Sequence, residues 1–191
     1  MKTSITSPIA LRALEKALKA ARGGPAPRQK VDSRIADKFV VRGFAELFTE
    51  LAGIGLHHGR SGNSEMVAGI LEGITGFVRK KHEVKLLKKD LGHDMSLRVL
   101  AEVPTFDLSA CKTPDKFVIR FPPMIRDTVR DDVQRVADNK VSDGPNSMNQ
   151  WLLKVLVEWV ILQRQHYALL SASIAHEREL LEFSEEVTKS D

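Results

Sequence analysis

The pentapeptide Lys38-Phe39-Val40-Val41-Arg42 occurs a second time, with one conservative change, as Lys116-Phe117-Val118-Ile119-Arg120. Each copy opens a similar succession of a short alternating segment, a helical segment, a polar break and a second helical segment. Such an internal repeat predicts two units built on one plan. In both copies large apolar side chains alternate with Lys, Val and Arg, which is typical of a strand with one buried face. A single strand has no pairing partner within its own unit, so we expect the two copies to pair with each other.

Antiparallel pairing of the two copies separates their side chains into two faces. The face that packs onto the helices is expected to consist of Phe39, Val41, Phe117 and Ile119. The opposite face is expected to consist of Lys38, Val40, Arg42, Lys116, Val118 and Arg120. Four cations on so small a face repel one another unless an anion compensates them. This second face, called the reading face below, is therefore the candidate binding surface.

The repeat divides the chain into five parts. They are a basic N-terminal arm that is partly helical or flexible (1–36), a first unit (37–81), a connection with a short helix (82–114), a second unit (115–162) and a C-terminal helical extension (163–191). The second helix of the first unit is expected to continue through Val78 into a basic extension that ends at Lys89. In the connection, Ser96 is expected to cap a short helix that ends at Glu102.

A polar pair precedes the second helical segment of each unit: Asn63-Ser64 in the first and Asn146-Ser147 in the second. Asn and Ser are favoured N-cap residues because a side-chain oxygen accepts a free backbone N–H. The pairs therefore predict two helix starts, which are also sites where N–H groups can bind phosphate. After the second pair, Trp151–Leu162 is apolar on nearly every side, which predicts burial in a core or against another chain.

Composition and motifs exclude several classes of function. The net charge of +4 and pI near 9.2 permit nucleic-acid binding, whereas 6% aromatic residues argue against base stacking on single strands. Cys111 is the one cysteine, so no internal disulfide can form. Neither a secretory signal, a membrane span, a metal-ligand spacing, a phosphate loop nor a nucleophile elbow is present. We therefore expect a cytoplasmic protein that is not an enzyme and has no cofactor or metal.

Two short motifs resemble the ribbon-helix-helix family of the Arc, Mnt and MetJ repressors. The segment 116–122, Lys-Phe-Val-Ile-Arg-Phe-Pro, looks like the strand and first-helix start of Arc, and 60–65, Arg-Ser-Gly-Asn-Ser-Glu, looks like the turn into its second helix. The resemblance covers about residues 37–80 and 115–161. It implies a mainly α fold with a small two-stranded antiparallel β-ribbon, a pseudo-two-fold tandem ribbon-helix-helix and a long C-terminal helix. It also implies a phage, plasmid or bacterial origin.

The sequence departs from the family pattern at several positions. Gly43 stands where the second unit has Phe121, and no proline follows it. Arc contains a buried Arg–Glu–Arg triad. Arg60 and Glu65 are expected to supply two members of such a triad, and Gly69 stands in place of the third.

The resemblance implies a protein that reads double-stranded DNA with its ribbon in the major groove. Arg42 and Arg120 are then expected to contact guanine, and Val40 and Val118 to pack on thymine methyl groups. Lys38 and Lys116 complete the base-reading set. The phosphate-contacting set is expected to be Asn63, Ser64, Asn146 and Ser147. A transcriptional repressor or autoregulator is the function that fits this pattern.

Two other functions fit the same sequence. One is a protein-interaction module, antitoxin-like, in which Trp151–Leu162 and the C-terminal helix bind a protein partner or a second copy of the chain. The other is a conjugation accessory protein that bends DNA. It shares the reading face and differs only in its genetic context.

Overall fold

The structure of the protein, a computed structural model, describes residues 37–122, 124–138, 144–145 and 147–190, except for the side chains at 136–138, 180 and 183–190. The predicted N-terminal arm (1–36) and the candidate phosphate contact Asn146 lie outside the described residues.

Two strands and six α-helices make up the described part of the chain. The strands are β1 (Asp37–Phe44) and β2 (Pro114–Phe121). The helices are α1 (Ala45–His57), α2 (Gly62–Ile74), α3 (Val78–Leu91), α4 (His93–Glu102), α5 (Ile125–Asp138) and α6 (Met148–Ser190). A short 3₁₀ turn, Leu108–Ala110, precedes β2. The predicted mainly helical fold with a small two-stranded antiparallel sheet is confirmed.

The two strands pair antiparallel in a register that superimposes the two copies of the pentapeptide. Val40 lies opposite Val118 at the centre, and Phe39 lies opposite Ile119. Because side chains alternate along a strand, this register sends the large apolar residues of both copies to one face. Val41 and Ile119 are fully buried on that face.

The first half of α6 lies at the centre of the core. Trp151–Leu162 contributes seven of the core's large apolar side chains because that segment is covered on most sides by the ribbon and by α1, α2 and α5. Glycine allows α2 to approach α6 closely. A Cβ atom built on Gly69 would lie 2.8 Å from the ring of Trp159, and one built on Gly73 would collide with Val155.

The helix predicted to continue to Lys89 is in fact broken at residues 75–77. Gly76 and Phe77 have positive φ angles of 67° and 59°, and α3 begins afresh at Val78. The break turns Phe77 inward, where its ring stacks on Trp159 with centroids 6.4 Å apart. Val78, predicted to point inward, is exposed.

The short helix of the connection begins three residues earlier than predicted. α4 starts at His93, and Ser96 lies inside it, where its hydroxyl donates to the carbonyl of His93 at 2.9 Å. Ser96 is therefore not the cap. α3 and α4 pack on the second half of α6 through a small apolar cluster formed by Val84, Leu91 and Leu169.

Candidate nucleic-acid interface

All six residues of the reading face lie on the exposed side of the ribbon. Val40 and Val118, which face each other at its centre, are 45% and 47% exposed, unusually high for apolar side chains paired in a sheet. Arg42 lies opposite Lys116, and Lys38 lies opposite Arg120. None of the four cations forms an ion pair with a described residue. The face therefore carries two pairs of like charges that nothing in the described chain neutralises.

Two asparagine side chains hold the backbone of the two reading arginines. The N–H of Arg42 donates to Oδ1 of Asn149 at 2.8 Å, and Nδ2 of Asn149 donates back to the carbonyl of Arg42 at 2.9 Å. Asn63 makes the same pair of bonds with Arg120, at 2.8 and 3.4 Å. Each amide thus satisfies the N–H and the C=O that an edge strand leaves unpaired. The bonds cross between the units, because α2 holds β2 and α6 holds β1.

The helix starts are not where the sequence placed both of them. α2 is capped by Ser61, whose hydroxyl accepts the N–H of Ser64 at 3.2 Å, so Asn63 and Ser64 lie inside its first turn. The prediction that Asn63 or Ser64 is the N-cap was wrong. Ser147 does cap α6, and its hydroxyl accepts the N–H of Gln150 at 3.2 Å.

The element that recurs is Ser-x-Asn: Ser61-Gly62-Asn63 and Ser147-Met148-Asn149. In each copy the serine caps the helix and the asparagine two residues later holds the opposite strand. Asn149 was missed because the dipeptide Asn-Ser was matched between the units instead. A comparison of spacing from the cap, rather than of letters, would have found it.

The side chain of Asn63 is committed to the ribbon, so it is the backbone that α2 offers to an anion. The N–H groups in the first turn of a helix have no intrahelical acceptor, and in α2 those of Gly62 and Asn63 precede the capped N–H of Ser64. The hydroxyl of Ser64 lies 2.9 Å from that of Ser61. This start stands beside Arg120, which Asn63 holds.

A buried carboxylate fixes the turn between α1 and α2. Glu65 is fully buried, and it accepts hydrogen bonds from Nε1 of Trp159 at 2.9 Å and from Arg60 at 3.3 Å. Nδ1 of His58 lies 3.0 Å from the same carboxylate, and the other ring nitrogen of His58 is hydrogen-bonded to Tyr167. Arg60 and Glu65 therefore meet as predicted. The indole of Trp159 covers Gly69 and supplies the further partner.

Both ends of the ribbon are tied to the helices. At one end the N–H groups of Lys112 and Thr113 donate to the carboxylate of Glu46 at 3.0 and 3.2 Å. These bonds hold the pKa of Glu46 below its ordinary value, the Lys112 bond contributing most. At the other end Arg126 of α5 pairs with Asp37 at 2.7 Å. The ribbon is thus presented on a fixed support rather than as a free hairpin.

A comparison with protein-family models, curated proteins and solved structures found no match for this chain. No group of three or more His, Cys, Asp or Glu side chains within the described part of the chain is placed to hold a metal ion. None of the helices described is both long enough and apolar enough to cross a membrane. The exposed ribbon is therefore the feature from which a function is inferred.

Proposed function

We propose that this protein binds double-stranded DNA in a sequence-specific way, with its ribbon in the major groove, as a transcriptional repressor or autoregulator. One observation carries the proposal: the register that places four unpaired cations around two exposed valines on one side of the ribbon. A two-stranded ribbon fits the major groove, where base edges present acceptors and thymine methyl groups.

We also propose that the chain is a pseudo-two-fold tandem ribbon-helix-helix. The register supports this, because Val40 and Val118 lie at its centre of symmetry. The crossed asparagine bonds provide independent support, since each joins the second helix of one unit to the strand of the other. Counting from the caps, Met66 and Ile70 of α2 correspond to Leu152 and Leu156 of α6, and all four are fully buried.

The backbone bonds of Asn63 and Asn149 explain how the arginines can read bases. An arginine distinguishes guanine by two parallel hydrogen bonds to O6 and N7, a geometry that tolerates little displacement. Arg42 and Arg120 project from backbone positions fixed on both sides, by the partner strand and by an asparagine. The starts of α2 and α6 flank the ribbon and would bind phosphates on either side of the groove.

The test is a DNA selection followed by binding measurements on variants. A bound site is first selected from a random duplex library. Arg42→Ala and Arg120→Ala should then each weaken binding to that site by about 1–3 kcal/mol, while binding to unrelated DNA changes far less. Arg42→Lys keeps the charge but loses the bidentate geometry, so it should lose specificity as well.

The matched control is Lys85→Ala, which removes one exposed cation from α3, outside the ribbon. It should lower affinity equally for selected and unrelated DNA, if at all. If both arginine variants bind the selected site like the parent, the ribbon is not the reading element. The affinity of the parent should also fall steeply with salt, because phosphate contacts release counterions.

Partner binding through Trp151–Leu162 receives less support, because most of the large side chains of that segment are buried in the chain's own core. Any such surface would have to lie on the later part of α6, where Ile174 and Leu181 are exposed. A gel shift at low salt separates the two functions: DNA reading requires a shifted band, and a pure interaction module gives none.

A further inference from the structure

A cleft opens between α1, α4 and α6, and it contains no residue of the reading face. Its volume is about 670 Å³, within the range of about 300–1,000 Å³ typical of small-molecule sites. Its apolar wall is formed by Ile54, Val99, Val103, Pro104, Ala168 and Ala172. A neighbouring cavity along α1 shares Glu50, Ile54 and Tyr167 with it.

The wall of the cleft contains a buried polar group without a partner. Gln163 lines the cleft and is only 2% exposed, and its side-chain oxygen Oε1 has no hydrogen-bond partner among the described residues. Buried side-chain oxygens are nearly always paired, because leaving one unpaired costs about 1–3 kcal/mol. An oxygen in this state requires a hydrogen-bond donor, which a molecule in the cleft can supply.

The charges around the cleft favour a cation over an anion. Arg164 is the one cation on its wall, and it is already engaged by Glu50 at 2.9 Å and by the carbonyl of Pro104 at 2.9 Å. Glu102 also lines the cleft, is exposed and forms no ion pair with a described residue. Its carboxylate therefore leaves the cleft with a net negative charge.

We propose that this cleft binds a small organic amine. The apolar body of the ligand packs between Val99, Val103 and Ala168, and its ammonium group donates a hydrogen bond to Oε1 of Gln163. The carboxylate of Glu102 at the rim contributes the attraction of an opposite charge. The site is separate from the ribbon, so its presence or absence leaves the proposed DNA binding unaffected.

The probe is 4-phenylbutylamine, tested on the full chain by amide chemical shifts and by calorimetry. The amine should shift the amide signals of Val103, Ala168 and Ala172 in a saturable way. The neutral analogue 4-phenylbutanol should bind more weakly, and the anion 4-phenylbutyrate most weakly of the three. Absence of saturable shifts in the cleft, or equal binding of the amine and the carboxylate, overturns the proposal.

Two variants locate the binding group. Gln163→Leu removes the unpaired oxygen at similar volume, so the fold should be retained and amine affinity should fall about tenfold. The matched control is Gln165→Leu, two residues along the same helix, which lines neither cavity and should leave amine affinity unchanged. Glu102→Gln, on the exposed rim, should weaken the amine without weakening the alcohol. Unchanged amine affinity in both Gln163→Leu and Glu102→Gln overturns the proposal.

Discussion

At the scale of single residues, Asn63 and Asn149 achieve what neither a serine nor a carboxylate can do in their place. An amide offers one acceptor and two donors on the same planar group. It can therefore accept the N–H of an extended residue and donate to the C=O of that residue at the same time. Arg42 and Arg120 are each held in this way, so the positions of the reading arginines depend on two residues that carry no charge.

Asn149→Asp should destabilise the protein although it changes the side chain by a single group. The carboxylate still accepts the N–H of Arg42, but it cannot donate to the carbonyl of Arg42 and instead places an oxygen against it. We expect a loss of about 1–3 kcal/mol in the free energy of unfolding, measured by urea titration. Gln165→Glu makes the same amide-to-carboxylate change on α6 away from the ribbon, and it should alter stability by less than about 0.5 kcal/mol. Equal effects of the two changes would show that the bonds to Arg42 contribute nothing.

His166 should make the protein less stable in mild acid. Burial, together with the nearby cation of Lys80, lowers the pKa of His166 below its ordinary value, and Glu83 and His58 exert smaller, opposing and reinforcing effects respectively. Its Nδ1 is buried and has no partner among the described residues, so the protonated ring could not use both of its N–H groups. Because the unfolded chain then binds a proton more readily than the folded one, stability is complete above the unfolded pKa of about 6.5. It is lost as pH falls from there toward the lowered pKa of the folded state.

His166→Gln should flatten the stability curve across that interval. The measurement is the urea midpoint at a series of pH values below neutrality. His176→Gln, on the same helix, serves as the control and should keep the slope of the parent. A parent-like slope in the His166 variant would assign the pH dependence to another group.

At the scale of elements, the sequence was informative where a pattern is local and misleading where packing decides. Alternation fixed β1 and β2 and their faces, because a one-residue slip would send Phe39 and Val41 into solvent. The first turn of α2 was assigned two residues too late, because Asn and Ser are good caps and only the contact of Asn63 with β2 reveals its other role. The break before α3 was missed because Phe77 adopts a left-handed conformation that local preference does not predict.

Two glycines that look alike in sequence should respond to alanine in opposite ways. Gly53 lies in α1 with no atom within 4 Å of an added Cβ, whereas Gly73 lies in α2 directly against the branched side chain of Val155. Gly53→Ala should stabilise the protein by about 0.5–1 kcal/mol through helix propensity. Gly73→Ala gains the same propensity but forces α2 from α6, at a cost of about 1–3 kcal/mol. Thermal unfolding of the two variants decides this, and a stabilising Gly73→Ala would mean that the two helices are not in close contact.

At the scale of the whole molecule, both strands of the ribbon and the helices beneath it belong to one chain. The core forms around Trp159 of α6, which contacts Glu65 and Gly69 of α2 and stacks on Phe77. These contacts join parts of the chain that are about 90 residues apart in sequence. Neither unit keeps its own strand, since α2 holds β2 and α6 holds β1.

Folding should therefore be independent of protein concentration. Where a ribbon is formed by two chains, stability rises with concentration because association is part of folding. Here each strand pairs within its own chain, so closing the ribbon is a unimolecular step. We expect the urea midpoint to stay constant over a hundredfold range of protein concentration, followed by fluorescence of the buried Trp159. A midpoint that rises with concentration would show that a second copy contributes to stability, and the exposed later part of α6 would then be the first surface to test by truncating the helix after Ile174.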